Sequence, residues 1–135
     1  IKSKVFSQMR LFWQEKNYFV FIPLYPLRER WRGFNQARIL AESFAAVAKE
    51  KFLEKEFLVL DILTRIKATK QQAKLNKEER KQNIKEAFMV KNSPPSRIIL
   101  VDDVFTTGAT LQEAARVLKE AGAKEVWGLT LFRAE

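Results

Sequence analysis

Apolar and polar positions along this chain fall into blocks whose period changes, and each change marks an element. Val5, Met9, Phe12 and Trp13 lie at helical spacing, which predicts a helix over the first fifteen residues with one buried face. Tyr18 to Tyr25 is a continuous apolar run containing Pro23, the pattern of a buried strand near its end. Arg28, Arg30, Arg32 and Gly33 then read as a basic loop. Asn35 is placed to cap a helix whose stripe is Ala37, Leu40, Ala41, Phe44, Ala45 and Ala48. Phe57 to Leu63 is the next strand. From Arg65 to Lys85 the chain is polar and basic, with almost no apolar period beyond Leu75 and Ile84. Ala87 to Val90 reads as a short strand, and Asn92-Ser93-Pro94-Pro95-Ser96 as a turn-rich connector. A strand from Arg97, a helix with Leu111, Ala114, Ala115, Leu118 and Ala121 on one face, a helix-ending Gly122 and a strand from Val126 to Phe132 complete the chain.

Strands that alternate with helices predict an α/β domain: a parallel sheet with helices on both faces. Right-handed crossovers then carry all strand C-terminal ends to one edge, where open α/β sheets bind ligands. The segments Arg28–Asn35 and Asp102–Thr107 both follow strand ends, so they are expected to meet around one crevice. Phe6, Phe12, Trp13, Phe19, Phe21, Phe52 and Phe57 follow element periods and are assigned to the core. Trp31 and Phe34 sit inside the basic segment, either stacking on a base or pinning the chain.

The 135 residues fit one domain, 1–135, and 47% apolar with 30% charged residues describes an ordinary globular chain. No apolar run approaches a membrane span and no signal-peptide pattern opens the chain, so a cytoplasmic location is expected. Absence of Cys and His removes disulfides, thiolate zinc and imidazole acid/base chemistry. Any metal must be held by oxygens, which points to Mg2+. The net charge of +9 suits a polyanionic partner, whether a phosphorylated small molecule or a nucleic acid, or plain colloidal solubility, and decides nothing alone.

The chemistry concentrates between Arg97 and Thr110. Ile98 to Val101 form a buried strand, the acids Asp102 and Asp103 close it, and Val104, Phe105, Thr106, Thr107, Gly108, Ala109 and Thr110 turn into a helix. A helix N-terminus offers unpaired N–H groups and partial positive charge, and a glycine lets a phosphate approach the backbone. The threonines add hydroxyl donors. The two carboxylates repel a phosphate, so they face sugar hydroxyls, a divalent cation, or both. A phosphate beside a diol describes a phosphorylated ribose.

This string resembles the binding motif of type I phosphoribosyltransferases, an apolar strand and two acids followed by Thr-Thr-Gly-x-Thr. The resemblance implies that Asp102 and Asp103 are the catalytic-site acids, holding the ribose hydroxyls of phosphoribosyl pyrophosphate (PRPP) and Mg2+, and that residues 104–110 cradle its 5′-phosphate. A second stretch, Ile22 to Ala37 with Arg-Gly-Phe-Asn-Gln at 32–36, is similar to the central signature of the ComF (competence protein F-like) family, and Leu63, Arg65, Thr69, Gln72, Leu75, Arg80, Asn83, Ala87 and Phe88 continue it. By that resemblance Arg28, Arg30 and Arg32 meet the pyrophosphate, and Arg65–Lys85 is a flexible loop bringing Arg65, Lys67 and Arg80 over the site. Two departures stand out. The family's Cys-rich zinc segment is not present in these residues, and Tyr25 stands where the family often has His.

The implied function is a glycosyltransferase reaction, displacement of pyrophosphate from PRPP by a nitrogen nucleophile. The alternative is a non-catalytic module that uses the same fold to bind PRPP or single-stranded DNA within the competence machinery. A homo-oligomer is left open.

Overall fold

The computed structural model describes residues 12–67 and 75–133. The elements run β1 (Lys16–Phe21), α1 (Pro26–Arg32), α2 (Gln36–Lys51), β2 (Glu56–Leu60), β3 (Leu63–Arg65), α3 (Lys77–Ile84), β4 (Phe88–Val90), β5 (Arg97–Phe105), α4 (Ala109–Glu120) and β6 (Glu125–Arg133). The main sheet has the order β2-β1-β5-β6 with every pair parallel, and β3 and β4 form a separate antiparallel hairpin. The expected α/β architecture is therefore the observed one. From the central pair, β1 crosses to β2 on one side and β5 to β6 on the other. Right-handed crossovers in opposite directions put α2 and α4 on opposite faces, with the switch point between β1 and β5.

Burial follows from this layering. Successive side chains of a strand point to opposite faces, yet Phe19, Val20 and Phe21 are all buried, as are Ile98 to Val101. Both faces of the central strands are therefore covered. Helix α2 packs through Ala37, Ala41, Ala45 and Ala48, a buried row at spacings of four, four and three whose small side chains let the helix lie close to the sheet, while Leu40 and Phe44 fill its flanks. Helix α4 presents Ala114 and Leu118. At the sheet's other end Trp13 packs edge-on against Phe57, 5.2 Å between centroids, and Arg97 donates to the Phe12 carbonyl at 2.6 Å. The outer strand β6 is less covered: Trp127, Leu131 and Phe132 stay exposed.

Several boundaries differ from the sequence reading. Residues 1–11 of the expected N-terminal helix lie outside the described residues, and 12–15 are not helical, although Trp13 is buried as expected. The first strand ends at Phe21, before Pro23. The Phe57–Leu63 strand is two strands in two sheets, because Asp61 breaks the apolar run and turns outward to Lys91 (2.8 Å) and Arg38. The basic segment is a helix rather than a loop: Pro26 opens α1, and Gly33, at φ 78°, closes it by donating its N–H to the Glu29 carbonyl at 2.8 Å. Within Arg65–Lys85, Arg65 ends a strand and α3 begins at a capping box in which Asn76 and Glu79 satisfy each other's backbone N–H.

The turn after α3 is fixed by charge. Glu86 adopts φ 56°, and its N–H donates to Glu113 Oε1 of α4 at 3.1 Å. Glu113 in turn accepts from Arg116 Nε at 3.1 and 3.2 Å. This tether, with α4 contacts to β4, holds the hairpin against the main sheet.

Asn35 joins β1 to α2. Its side-chain oxygen accepts from Ala37 and Arg38 N–H at 2.9 and 3.3 Å, and its amide donates to the Ile22 carbonyl at 3.2 Å. Asn35→Ala should remove the cap and strand a buried carbonyl, costing about 2 kcal/mol in urea denaturation with an unchanged m-value. Asn35→Asp, which keeps the cap and loses the amide donor, should fall between variant and wild type.

Candidate functional site

The site begins where two strands part. On the β1 side the β5 ladder ends at Phe21↔Val101, closed by the Ile22 N–H donating to the Val101 carbonyl at 2.9 Å. On the β6 side it continues through Asp102↔Thr130 to Phe105↔Arg133. Asp102 and Asp103 thus lie within a strand rather than closing it, because β6 continues the ladder past them. One neighbour still holds that strand straight while the other has turned away into α1. The vacated edge is the crevice, and the two segments expected to meet there do start from its two walls.

Each acid is turned into the backbone that follows it. Asp102 Oδ1 accepts from the Asp103 N–H at 2.9 Å, and Asp103 Oδ1 from the Val104 N–H at 3.0 Å. Burial pushes the Asp102 carboxyl up to about 7, and a hydrogen bond and the charge from Asp103 push the same way. The Asp103 N–H and the positive charge of Arg65 act against this, more weakly. A poorly solvated Asp102 carboxyl with Asp103 beside it leaves a demand for hydroxyl donors or a cation.

Residues 106–108 turn from β5 into α4, and Gly108, at φ 82°, is the N-cap. A Cβ there would lie 2.9 Å from the Phe105 ring, so glycine is required by conformation and by space together. Gly108 has no side chain with which to cap α4, and the helix start borders a small recess lined by Asp102, Thr106, Gly108 and Thr110. The Thr107 hydroxyl accepts a long 3.4 Å bond from the Ala109 N–H. An oxyanion at this recess meets backbone donors and the positive helix end.

The predicted basic residues divide. Arg65 was expected on a flexible loop, but it is buried in the β3–β4 hairpin, its guanidinium 5.1 Å from the Phe88 ring, where its charge acts on Asp102. Alternation of Leu63 and Arg65 on the inward face of a three-residue strand carries too short a period to reveal this. Lys67 is exposed and donates to the Lys85 carbonyl at 3.4 Å, and Arg80 lies on α3. Arg30 and Arg32 are exposed on α1, with no ion pair among the described residues, and the side chain of Arg28 lies outside that description. The structure thus gathers the two acids, the phosphate-type turn and Arg65, and leaves the α1 arginines at the same edge without direct contact to the acids. Phe105, which roofs the glycine, had no sequence signal beyond its place before the threonines.

Among the described residues no group of three or more His, Cys, Asp or Glu converges, and no helix is long and apolar enough to cross a membrane. Two carboxylates alone suit Mg2+, which keeps several waters and binds one or two carboxylates together with substrate oxygens.

Residues 32–134 match the phosphoribosyl transferase domain family. Competence protein F of Haemophilus influenzae is 40% identical over 114 residues, 80% of this chain and 47% of that protein. Competence protein ComFC of Streptococcus pneumoniae is 37% identical over 117 residues, 85% of this chain and 47% of that protein. DNA utilization protein YhgH of Escherichia coli strain K12 is 35% identical over 113 residues, 82% of this chain and 47% of that protein. The chain spans about half the length of these relatives.

The acid pair supplies a pH test. A carboxyl whose folded pKa is about 7, against an ordinary value of 3.8, stabilises the fold fully only below about pH 4, and that contribution is lost as pH rises through 7. Asp102→Asn should therefore be more stable than wild type at pH 8, by roughly 2–4 kcal/mol, with the advantage shrinking towards pH 4. Urea denaturation of both proteins at pH 4, 6 and 8 reads the difference.

Proposed function

The chain belongs to the ComF-like family of phosphoribosyl transferase-fold proteins, and from that premise we propose that it binds PRPP with Mg2+ and transfers the phosphoribosyl group to a nitrogen nucleophile. The reading is carried by one juxtaposition: Asp102, with Asp103 beside it, lines the same recess as a glycine-capped helix start. Backbone N–H groups between Thr106 and Thr110 hold the 5′-phosphate, with threonine hydroxyls beside them. Asp102 and Asp103 accept from the ribose 2′- and 3′-hydroxyls. That satisfies the corner's need for donors and fixes the sugar's orientation. Mg2+, bound through these carboxylates and substrate oxygens, would neutralise charge on the pyrophosphate. At the anomeric carbon the bond to the nucleophile's nitrogen forms as the bond to pyrophosphate oxygen breaks, and that oxygen keeps the electron pair. Arg30 and Arg32, exposed and without an ion pair among the described residues, are available to the departing anion, and Arg65 offsets part of the charge on Asp102.

A second reading is that the domain handles single-stranded DNA without turnover. The names of the similar competence and DNA utilization proteins support it, as does an aromatic and basic surface on α1. Its signature is affinity that falls steeply with salt and needs no Mg2+.

Calorimetric titration with PRPP, with and without Mg2+, separates these. Saturable, Mg2+-dependent binding that is lost in Asp102→Asn/Asp103→Asn, while that variant still melts cooperatively, is the expected result. Gly108→Val should lower PRPP affinity at least tenfold, because the branched side chain collides with Phe105 and reshapes the turn. Unchanged affinity in the folded double variant would sink the reading.

A further inference from the structure

Helix α1 exposes what a folded domain ordinarily covers. Trp31 is 92% accessible, Leu27 one turn before it 62%, and Phe34, just past the left-handed Gly33, 46%. Leu27 and Trp31 are i, i+4 neighbours, so they form one stripe on a helix of seven residues. Arg30 and Arg32 flank Trp31, are themselves exposed, and make no ion pair among the described residues. An exposed indole next in sequence to two exposed arginines that make no ion pair among the described residues is a stacking face with phosphate-binding groups on the same helix.

We propose that Trp31, with Phe34 and the flanking Arg30 and Arg32, is a platform on which the bases of a single-stranded nucleic acid stack. The inference rests on the second reading above and is independent of PRPP turnover. Charge selects a polyanion, since the arginines make no ion pair among the described residues and the chain carries +9 overall. Shape selects a strand over a small molecule. The face is a convex helix surface, not a recess, so a lone base would gain one stacked contact and bind more weakly than about a millimolar. A strand adds a second stacked base and several phosphate contacts, and its unpaired bases are free to leave one another for the indole. A duplex keeps its bases stacked and offers only its backbone. Because α1 follows the end of β1, a strand seated here approaches the crevice edge without occupying the phosphate turn.

The test uses the chain's three tryptophans, of which Trp13 is buried and Trp127 half-exposed. A fluorescently labelled oligo(dT) titrated into the protein at low salt should bind with anisotropy change and quench tryptophan emission. Trp31→Phe should remove most of the quenching yet keep affinity within about threefold, since a phenyl ring still stacks. Trp31→Ala should weaken binding by roughly five- to 150-fold. The pair Arg30→Ala and Arg32→Ala should lower the log–log salt slope by about 1.4, two contacts at about 0.7 each on a single strand. Duplex of equal length should bind more weakly and quench little. PRPP titration of Trp31→Ala keeps the two readings apart: unchanged PRPP affinity with lost DNA affinity assigns Trp31 to the strand. Three outcomes overturn the platform: wild type that does not bind oligo(dT), Trp31→Ala that binds it as wild type does, or Trp31→Ala that loses PRPP and oligo(dT) together.

Discussion

The feature on which the rest depends is the end of the ladder between β1 and β5. Up to Phe21 and Val101 the two strands satisfy each other's backbone, and beyond that point β5 is held only from the β6 side. An edge left by one neighbour must be paired, solvated or bound by something else. The chain meets that need with carboxylates that accept from the backbone ahead of them, then with a glycine turn whose helix start faces the same opening. The first strand, on leaving, becomes α1 and carries its arginines to the same edge. Site and fold therefore share one cause.

That arrangement stores unfavourable free energy. Asp102 is held in a corner that favours its neutral form, Gly108 takes a conformation other residues resist, and Phe105 closes over it. The remainder of the domain is built to tolerate this: an alanine row presses α2 to the sheet, Asn35 ties it to β1, and Glu113 locks the turn beneath the hairpin that carries Arg65. Sites whose groups are strained before a ligand arrives are common where the ligand supplies what is missing.

Legibility in the sequence followed the range of the interactions involved. The β5–α4 unit was readable because its pattern, its acids and its glycine are contiguous, and the alanine stripe of α2 because sixteen residues give a clear period. Helix α1 was not, since Leu27 and Trp31 alone among seven arginine-rich residues are too few to show a period, although Pro26 at its start and Gly33 just past its end were signals. Asn76 and Glu79 marked α3 in the same way. The position of Arg65 beside the acids depends on the β3–β4 hairpin, pairing residues more than twenty positions apart, and on the Glu86–Glu113 contact. No local pattern encodes such a meeting. The extension of β5 beyond its acids likewise depends on β6, which arrives only after α4.

The outer strand has a consequence of a different kind. β6 ends the sheet with an unpaired parallel edge among the described residues, and Trp127, Leu131 and Phe132 lie exposed along it. Such an edge attracts its own kind at contact, while the +9 net charge repels at a distance. These two forces have different ranges. The repulsion reaches about 10 Å at 0.1 M salt and about 3 Å at 1 M, whereas the contact attraction does not fade with ionic strength. As a colloid the domain is therefore kept dispersed by its counterion atmosphere, and its virial coefficient falls as salt compresses that atmosphere.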